Sequence, residues 1–234
     1  MRVIILAGGF GTRISEETEH KPKPMVLLDD KPILWHVMSI YARQGFTDFL
    51  IATGYKGEVI HEWVSKLQSN WTIQAIDTGL ETQTAGRIMQ IIEQHSDPQF
   101  MITYGDGLGN VDVSQLLSHH NKHGRKATVT AVRPPSRFGV IQSSDSLVTN
   151  FGEKNHVDAG WINGGFFVLE RSIKEHIRSG SESFEADVLP RLVDIKELTS
   201  FSHEGFWQPM DTLRERNELS VYANDPQSYW LKDL

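Results

Sequence analysis

Residues 3–13 read VIILAGGFGTR, and residues 21–25 read KPKPM. The apolar run at the start predicts a buried strand, which leads directly into a glycine-rich turn. Because the three glycines carry no side chains, their backbone N–H groups can converge on anionic oxygens. Arg13, Lys21 and Lys23 add positive charges beside the same turn. The stretch therefore predicts a binding loop for a polyphosphate, most simply a nucleoside triphosphate.

Two better-known glycine-rich loops do not fit this stretch. The dinucleotide-binding fingerprint requires a third spaced glycine, and Ile14 stands at that position. Its acidic ribose partner has no good match, because Asp29 and Asp30 lie in a turn-forming Asp-Asp-Lys-Pro segment. The Walker A loop ends in Gly-Lys-Ser/Thr, whereas this loop ends in Gly-Thr-Arg. A tight turn without a ligand stays the alternative, although such a turn needs no cationic cluster.

The composition limits the class of protein. The chain has 234 residues, a formal net charge of −7 and no cysteine. The lack of cysteine excludes disulfides, thiolate zinc sites and cysteine nucleophiles, and the acidic balance argues against a nucleic-acid partner. No apolar run has the length of a signal-peptide core or a membrane span. We therefore expect one domain at residues 1–234, in the cytoplasm and without a membrane partner.

Strands and helices alternate over the first half of the chain. The periodicity predicts strands at residues 3–7, 49–53, 71–76 and 100–104, with helices at 33–41, 57–67, 86–93 and 113–123. This order predicts an α/β fold with a Rossmann-like, mostly parallel sheet flanked by helices, in which ligands bind beyond the carboxyl ends of the strands. Later strands predict a β-rich insertion closing over the sheet, at 126–132, 140–142, 147–152 and 161–169. Further helices are predicted at 172–178, 186–194 and 213–222, with a strand at 198–203.

Two aspartates are candidate metal ligands. Asp106 follows a predicted strand in a Tyr-Gly-Asp-Gly turn, and Asp211 lies in a Gln-Pro-Met-Asp-Thr segment. Magnesium prefers one or two carboxylates together with phosphate oxygens and water. A plain glycine-rich turn at Asp106 and a helix cap at Asp211 stay open as alternatives. Together with the glycine-rich loop, the pair suggests metal-assisted phosphoryl or nucleotidyl transfer.

The remaining candidates are weaker. Glu153 and Asn163 suit sugar hydroxyls and Lys154 suits a phosphate monoester, but all three are also ordinary turn residues. Trp207 is a possible stacking residue because of its neighbours, whereas the other tryptophans fit a core or interface. The histidines within residues 119–123 are interpreted as a solvated helix end rather than a metal site.

Several motifs resemble the sugar-1-phosphate nucleotidyltransferases, and within that family the cytidylyltransferases that act on glucose 1-phosphate. They run in order over nearly the whole chain, at residues 6–13, 21–25, 31–36, 54–57, 77–79, 104–107, 163–169 and 205–214. The resemblance implies that a sugar-1-phosphate oxygen attacks the α-phosphorus of CTP in line, with release of pyrophosphate. It also implies a homo-oligomer, a nucleotide-binding part at residues 1–125 and a sugar-phosphate-binding part at 126–234.

The resemblance implies a role for each matching position. Arg13 and Lys23 are the expected catalytic residues, and Asp106 and Asp211 are the expected Mg²⁺ ligands. The expected nucleotide-binding residues are Leu6, Ala7, Gly8, Gly9, Gly11, Thr12, Arg13, Gly54, Tyr55, Thr84, Gly86 and Arg87. The expected sugar-phosphate-binding residues are Tyr104, Gly139, Glu153, Lys154, Asn163 and Trp207.

The chain departs from the family pattern in three places. A segment before Asp77 is shorter than usual, Ala85 replaces a glycine, and Asn155 replaces a proline. Such changes can alter oligomer contacts and the choice of acceptor. The first hypothesis is an enzyme that makes a CDP-sugar for surface polysaccharide synthesis. Two alternatives to it stay open. One is a nucleotidyltransferase for another base or phosphorylated acceptor, and the other is a non-catalytic nucleotide or sugar-phosphate sensor.

Overall fold

The fold comes from a computed structural model that describes residues 1–134, 140–144, 146–152, 160–225, 227 and 229–231. The strands are β1 (Arg2–Leu6), β2 (Leu27–Leu28), β3 (Lys31–Pro32), β4 (Asp48–Thr53), β5 (Thr72–Asp77), β6 (Gln99–Tyr104), β7 (Gly107–Gly109), β8 (Ala127–Val132), β9 (Val140–Ser144), β10 (Leu147–Gly152), β11 (Ile162–Glu170), β12 (Leu198–His203) and β13 (Trp207–Pro209). The α-helices are α1 (Ser15–Thr18), α2 (Ile33–Ala42), α3 (Gly57–Lys66), α4 (Thr84–Gln94), α5 (Val113–His123), α6 (Leu189–Asp194) and α7 (Leu213–Ala223).

A seven-stranded sheet with the order β12-β8-β11-β6-β1-β4-β5 organises the fold. The strands β6, β1, β4 and β5 are mutually parallel, because α2, α3 and α4 carry the chain back between them. β11 is antiparallel to both β6 and β8, and β12 is parallel to β8. The carboxyl ends of β1, β4, β5 and β6 consequently meet at one edge of the sheet.

Each face of the sheet has its own core. Alternate residues of β1 point to opposite faces, so that Val3 and Ile5 pack with α2 and α5 while Ile4 packs with α4. Because both faces are covered, the strand consists of consecutive apolar residues rather than alternating polar and apolar ones. This confirms the predicted α/β fold with a mostly parallel sheet flanked by helices.

The second half of the chain differs in detail from its prediction. Of the four strands predicted to form an insertion, β8 and β11 belong to the central sheet, whereas β9 and β10 form a separate antiparallel pair. The apolar run Phe166–Leu169 is almost fully buried between β6 and β8, a pairing that local periodicity cannot distinguish from an insertion. The helix predicted at 172–178 is a 3₁₀ turn at Arg171–His176, and the next begins with a π-helical turn at Phe184–Val188.

None of the helices among the described residues is long and apolar enough to cross a membrane.

Candidate active site

A cleft of about 1100 Å³ opens at the carboxyl ends of β1 and β6. Parallel sheets bind ligands at this edge, as the sequence predicts. Among the residues with a predicted site role, those lining the cleft are Leu6, Ala7, Gly8, Gly9, Gly11, Thr12, Lys23, Thr84, Arg87, Tyr104, Asp106, Asn163, Trp207 and Asp211.

The first part of the glycine-rich loop is shaped by a buried arginine. The Arg87 guanidinium donates to the Gly8 and Thr53 carbonyls, at 3.2 and 2.8 Å, and to the Thr78 hydroxyl at 2.6 Å. A Cβ on Gly8 would lie 2.3 Å from Arg87 Cζ, and one on Gly54 would lie 2.6 Å from its Nη1. A side chain at either position would collide with the Arg87 guanidinium, so both positions favour glycine. Burial lowers the pKa of Arg87, and the nearby Asp77 carboxylate opposes this effect.

The middle of the loop is open to the cleft. A Cβ on Gly9 would meet nothing within 4 Å, so this backbone is accessible to a ligand. Gly11 has φ +64°, a left-handed conformation that favours glycine, and a Cβ added there would lie 3.1 Å from Lys23 Cβ. Phe10 and Tyr55 pack with ring centroids 5.2 Å apart beside the loop.

Lys23 joins the two candidate metal ligands. Its Nζ lies 2.5 Å from Asp106 Oδ2 and 2.7 Å from Asp211 Oδ1. Burial disfavours the charged ammonium, but the two carboxylates outweigh that effect and raise the pKa of Lys23. The lysine is therefore charged at neutral pH.

A short strand pair brings the two aspartates together from distant parts of the chain. β7, directly after Asp106, pairs antiparallel with β13, which ends two residues before Asp211. The Met210 N–H also donates to the Asp106 carbonyl at 2.9 Å. Thr212 caps α7 by accepting from the Glu215 N–H, so that Asp211 is not the cap.

Part of the cleft is lined by polar side chains that are hydrogen-bonded to one another. The Tyr104 hydroxyl donates to Glu185 Oε1 at 2.5 Å and accepts from Asn163 Nδ2 at 3.1 Å. The Glu185 carboxylate also accepts from the Thr84 hydroxyl at 2.7 Å. Trp207 Nε1 donates to the Gly164 carbonyl at 2.8 Å, and this hydrogen bond fixes the indole beside these polar side chains.

A family model described as "Nucleotidyl transferase" matches residues 2–230. The chain belongs to the nucleotidyl transferase family. This nucleotidyl transferase is 42% identical to the glucose-1-phosphate cytidylyltransferase of Salmonella typhi over 98% of each chain. It is 38% identical to the probable glucose-1-phosphate cytidylyltransferase of Bacillus subtilis, over 98% of this chain and 99% of that protein. The predicted relationship to the sugar-1-phosphate nucleotidyltransferases is confirmed.

More distant matches agree on the fold. The mannose-1-phosphate guanyltransferase of Schizosaccharomyces pombe is 33% identical over 91% of this chain and 62% of its own length. The crystal structure of HddC from Yersinia pseudotuberculosis complexed with GMP-PN superposes with a TM-score of 0.76, at 23% identity over 95% of this chain and 99% of that one. At that identity the likeness shows the fold alone.

The alignment with the Salmonella typhi enzyme agrees with a shorter chain here, and the position of the shortening before Asp77 stays a prediction. It extends over 253 residues, more than the 234 of this nucleotidyl transferase, so that the relative has residues that this chain lacks. At the place predicted for the shortening, only residues 67–71 connect α3 to β5.

Not every predicted residue lies on the cleft of the nucleotidyl transferase. Gly54 and Tyr55 lie behind the glycine-rich loop, and Gly86 packs against residue Gly180, whose carbonyl oxygen would lie 2.5 Å from an added Cβ. The Arg13 side chain and the predicted sugar-phosphate-binding residues Gly139, Glu153 and Lys154 lie outside the described part of the chain.

Glu185 is a cleft residue that the sequence does not reveal. It belongs to residues 180–185, a segment between the helices predicted at 172–178 and 186–194 that has no predicted element of its own. In the structure that segment contacts the beginning of α4, where the Gln83 N–H donates to the Gly180 carbonyl at 3.0 Å. Long-range contacts of this kind place the carboxylate in the cleft, and no local sequence signal indicates them.

The histidine cluster of α5 also differs from its prediction. His120 is fully buried rather than solvated, and its Nδ1 lies 2.8 Å from the Thr128 hydroxyl. Burial lowers the pKa of His120 and favours its neutral form. In the described part of the chain, no group of three or more His, Cys, Asp or Glu side chains could hold a metal ion. The cluster is therefore a buried polar contact between α5 and β8.

Proposed function

We propose that the protein transfers the cytidylyl group of CTP to a sugar 1-phosphate, with glucose 1-phosphate as the acceptor, forming a CDP-sugar and pyrophosphate. The observation that carries this proposal is the 42% identity, over 98% of both chains, to an enzyme named glucose-1-phosphate cytidylyltransferase. The geometry of the cleft supports it, because loop, lysine and paired carboxylates face one space. A non-catalytic sensor would not require such a pair of carboxylates.

The glycine-rich loop would hold the triphosphate. The open backbone at Gly9 and the left-handed turn at Gly11 allow N–H groups to approach phosphate oxygens. Thr12 and Arg13 continue the same loop. Arg87 supports the loop from behind and keeps its backbone in place. The nucleotide would thus occupy the part of the cleft built by residues 1–125.

Asp106 and Asp211 fit a magnesium ion. Both carboxylates already approach one cation, the Lys23 ammonium, within 2.7 Å, so that their oxygens converge on a single point. Two carboxylates completed by phosphate oxygens and water suit the preference of magnesium for hard oxygen ligands. When bound, a magnesium ion would neutralise part of the negative charge of the phosphate groups.

The chain's own residues would act by positioning and electrostatics. An oxygen of the acceptor phosphate forms a new bond to the α-phosphorus of CTP while the bond from that phosphorus to the β-phosphate oxygen breaks. The electron pair leaves with pyrophosphate. Arg13 and Lys23 would offset charge on the transferring and leaving phosphates. No protein nucleophile is needed, because the acceptor supplies the attacking oxygen.

The acceptor would bind at the end lined by Tyr104, Asn163 and Trp207. Asn163 offers an amide to sugar hydroxyls, and the indole of Trp207 offers an apolar face. On the sequence alone, Gly139, Glu153 and Lys154 belong to the same end. This acceptor part lies in residues 126–234, apart from Tyr104. Assembly into a homo-oligomer and a cytoplasmic location also stay predictions, and light scattering tests the first.

Pyrophosphate release tests the proposal. The purified protein with Mg²⁺ is assayed with CTP, UTP, dTTP and GTP, each against glucose 1-phosphate and mannose 1-phosphate. We expect the highest kcat/KM with CTP and glucose 1-phosphate. The Asp106→Asn variant should lower turnover at least ~100-fold, since it replaces a carboxylate ligand of the proposed magnesium site by a neutral amide. Inactivity with every pair would favour a sensor, and preference for GTP with mannose 1-phosphate would overturn the assigned substrates.

A further inference from the structure

Glu185 accepts hydrogen bonds from three hydroxyl groups at the wall of the cleft. Its Oε1 lies 2.5 Å from the Tyr104 hydroxyl, and its Oε2 lies 2.7 Å from the Thr84 hydroxyl and 2.9 Å from that of Ser183. An ionised carboxylate only accepts, so all three hydroxyl groups must direct their hydrogens to it. Thr84 and Ser183 therefore hold the carboxylate in place, and the carboxylate in turn orients Tyr104.

The orientation of Tyr104 determines what its oxygen can do next. A phenol has a single O–H, and here Glu185 receives it, so the oxygen can only accept from other partners. Asn163 Nδ2 lies 3.1 Å away and is the matching donor. An ordinary phenol is protonated at neutral pH, so this O–H is present and can be donated.

The amide of Asn163 is fixed from its other side as well. The Gly165 N–H, which can only donate, lies 2.8 Å from Asn163 Oδ1. Oxygen and nitrogen of the amide are thus assigned by two independent neighbours. One N–H of Nδ2 and one lone pair of Oδ1 are left for a ligand, and Asn163 is exposed in the cleft. A hydroxyl group of the acceptor sugar would therefore meet a hydrogen-bond donor at Nδ2 and a hydrogen-bond acceptor at Oδ1, each in a fixed position.

We propose that Glu185 is a positioning residue that acts through Tyr104 to hold the Asn163 amide in the one orientation that binds the acceptor sugar. It does not itself have to touch the sugar. The inference rests on the proposed function for the nature of the acceptor, and it goes beyond that function by naming the group that sets acceptor affinity.

Glu185→Gln and Tyr104→Phe test the inference by steady-state kinetics. In Glu185→Gln three hydroxyl donors face a single carbonyl oxygen, and in Tyr104→Phe the Asn163 N–H loses its acceptor. For each variant we expect the KM for glucose 1-phosphate to rise about five- to tenfold, the effect of one lost hydrogen bond. The KM for CTP and kcat should change by less than about twofold. The KM of the double variant for glucose 1-phosphate should be no higher than that of either single variant, because both substitutions break the same series of hydrogen bonds.

Glu182→Gln is the matched control. It makes the same substitution three residues earlier, at a carboxylate that binds Arg191 Nη2 at 2.7 Å and does not line the cleft. We expect its kinetic constants to equal those of the wild type. If Glu185→Gln does not fold, Tyr104→Phe still tests the same hydrogen bonds, since it removes only a hydroxyl group.

The outcomes separate the two proposals. A wild-type protein without activity overturns the proposed function. An active wild type with an unchanged acceptor KM in Glu185→Gln and Tyr104→Phe overturns the role of Glu185 alone. Equal losses in kcat and in both KM values, together with a lower thermal midpoint, would indicate a structural role and would also overturn it. A selective rise in the acceptor KM supports it.

Discussion

The Lys23 ammonium group lies between two carboxylates and occupies the point on which their oxygens converge. Lys23 is 8% exposed, so the three charges interact with little screening by solvent. A cation that binds both Asp106 and Asp211 must therefore compete with the lysine. The same lysine becomes available to phosphate once it leaves the carboxylates. Metal and lysine are consequently expected to exchange places when nucleotide binds.

Lys23→Gln should separate these two roles. We expect turnover to fall at least ~100-fold, because a charge contact with the reacting phosphates is lost. We expect Mn²⁺ to bind about tenfold more tightly without nucleotide, because the competing cation is removed. Electron paramagnetic resonance of Mn²⁺ measures the second effect.

Lys21→Gln is the control for that measurement. Lys21 belongs to the same segment and carries the same charge, but its partner is Glu17, at 3.7 Å. We expect its Mn²⁺ affinity to stay within about twofold of the wild type. An unchanged or weaker Mn²⁺ affinity in Lys23→Gln would contradict the competition.

Gly8 and Gly9 are adjacent glycines with different surroundings. Gly8→Ala would force a methyl group to 2.3 Å from Arg87 Cζ, whereas Gly9→Ala meets no atom within 4 Å. We expect Gly8→Ala to lower the free energy of unfolding by about 1–3 kcal/mol through overpacking. Gly9→Ala should change it by less than about 0.5 kcal/mol. Urea denaturation compares the two, and equal effects would refute the assignment of Gly8 to Arg87 packing.

At the scale of elements, α2 connects the half of the molecule that contains the glycine-rich loop to the C-terminal residues. His36 on this helix is buried, with Nε2 3.3 Å from the Leu28 carbonyl and its ring packed edge-on against Trp230. Burial lowers the pKa of His36 to about 4, although the Leu28 carbonyl opposes the change. The helix therefore packs around a neutral imidazole.

The stability of the protein should depend on pH through His36. In the unfolded chain the imidazole takes up a proton near pH 6.5, whereas in the folded protein it does so only near pH 4. The contribution is complete above pH 6.5 and is lost as the pH falls towards 4, by up to about 3 kcal/mol. Urea denaturation of the wild type at several pH values in this range measures the change.

His36→Gln should lose that part of the pH dependence. Lys31, Asp29 and Asp30 also face His36, and they stay unchanged in this variant. His20→Gln is the control, because the His20 side chain is 89% exposed. If His36→Gln loses stability with falling pH as steeply as the wild type, the assignment to His36 is wrong.

At the scale of the whole molecule, the cleft connects both halves of the sheet, so a bound nucleotide should stabilise the entire fold. At a CTP concentration about 100 times its Kd, with Mg²⁺ present, linkage predicts about 2.7 kcal/mol. For a chain of this length that corresponds to a rise in the thermal midpoint of about 5–10 °C. Differential scanning fluorimetry with each nucleotide measures it. A larger rise with GTP than with CTP would contradict the assigned base.

Local patterns predicted much of the fold and part of the site. The strand, glycine-rich loop and Asp106 turn could be read from consecutive residues, because strand burial and turn chemistry are short-range properties. The position of β11 between β6 and β8 and the place of Glu185 in the cleft could not. They depend on contacts between residues far apart in sequence, for which one chain's periodicity carries no signal. The packing of Gly8 against Arg87 cannot be predicted from local patterns for the same reason.

The pairing of β7 with β13 has a consequence for how the protein is made. Asp211 lies 188 residues after Lys23, so the site gains its second carboxylate only when the last part of the chain has been synthesised. A growing chain that has emerged through β7 already holds the glycine-rich loop, Lys23 and Asp106. Before β13 arrives, the lysine has one carboxylate partner of the two. Ribosome-bound chains that stop short of Asp211 would therefore be catalytically silent, however well their first half has folded.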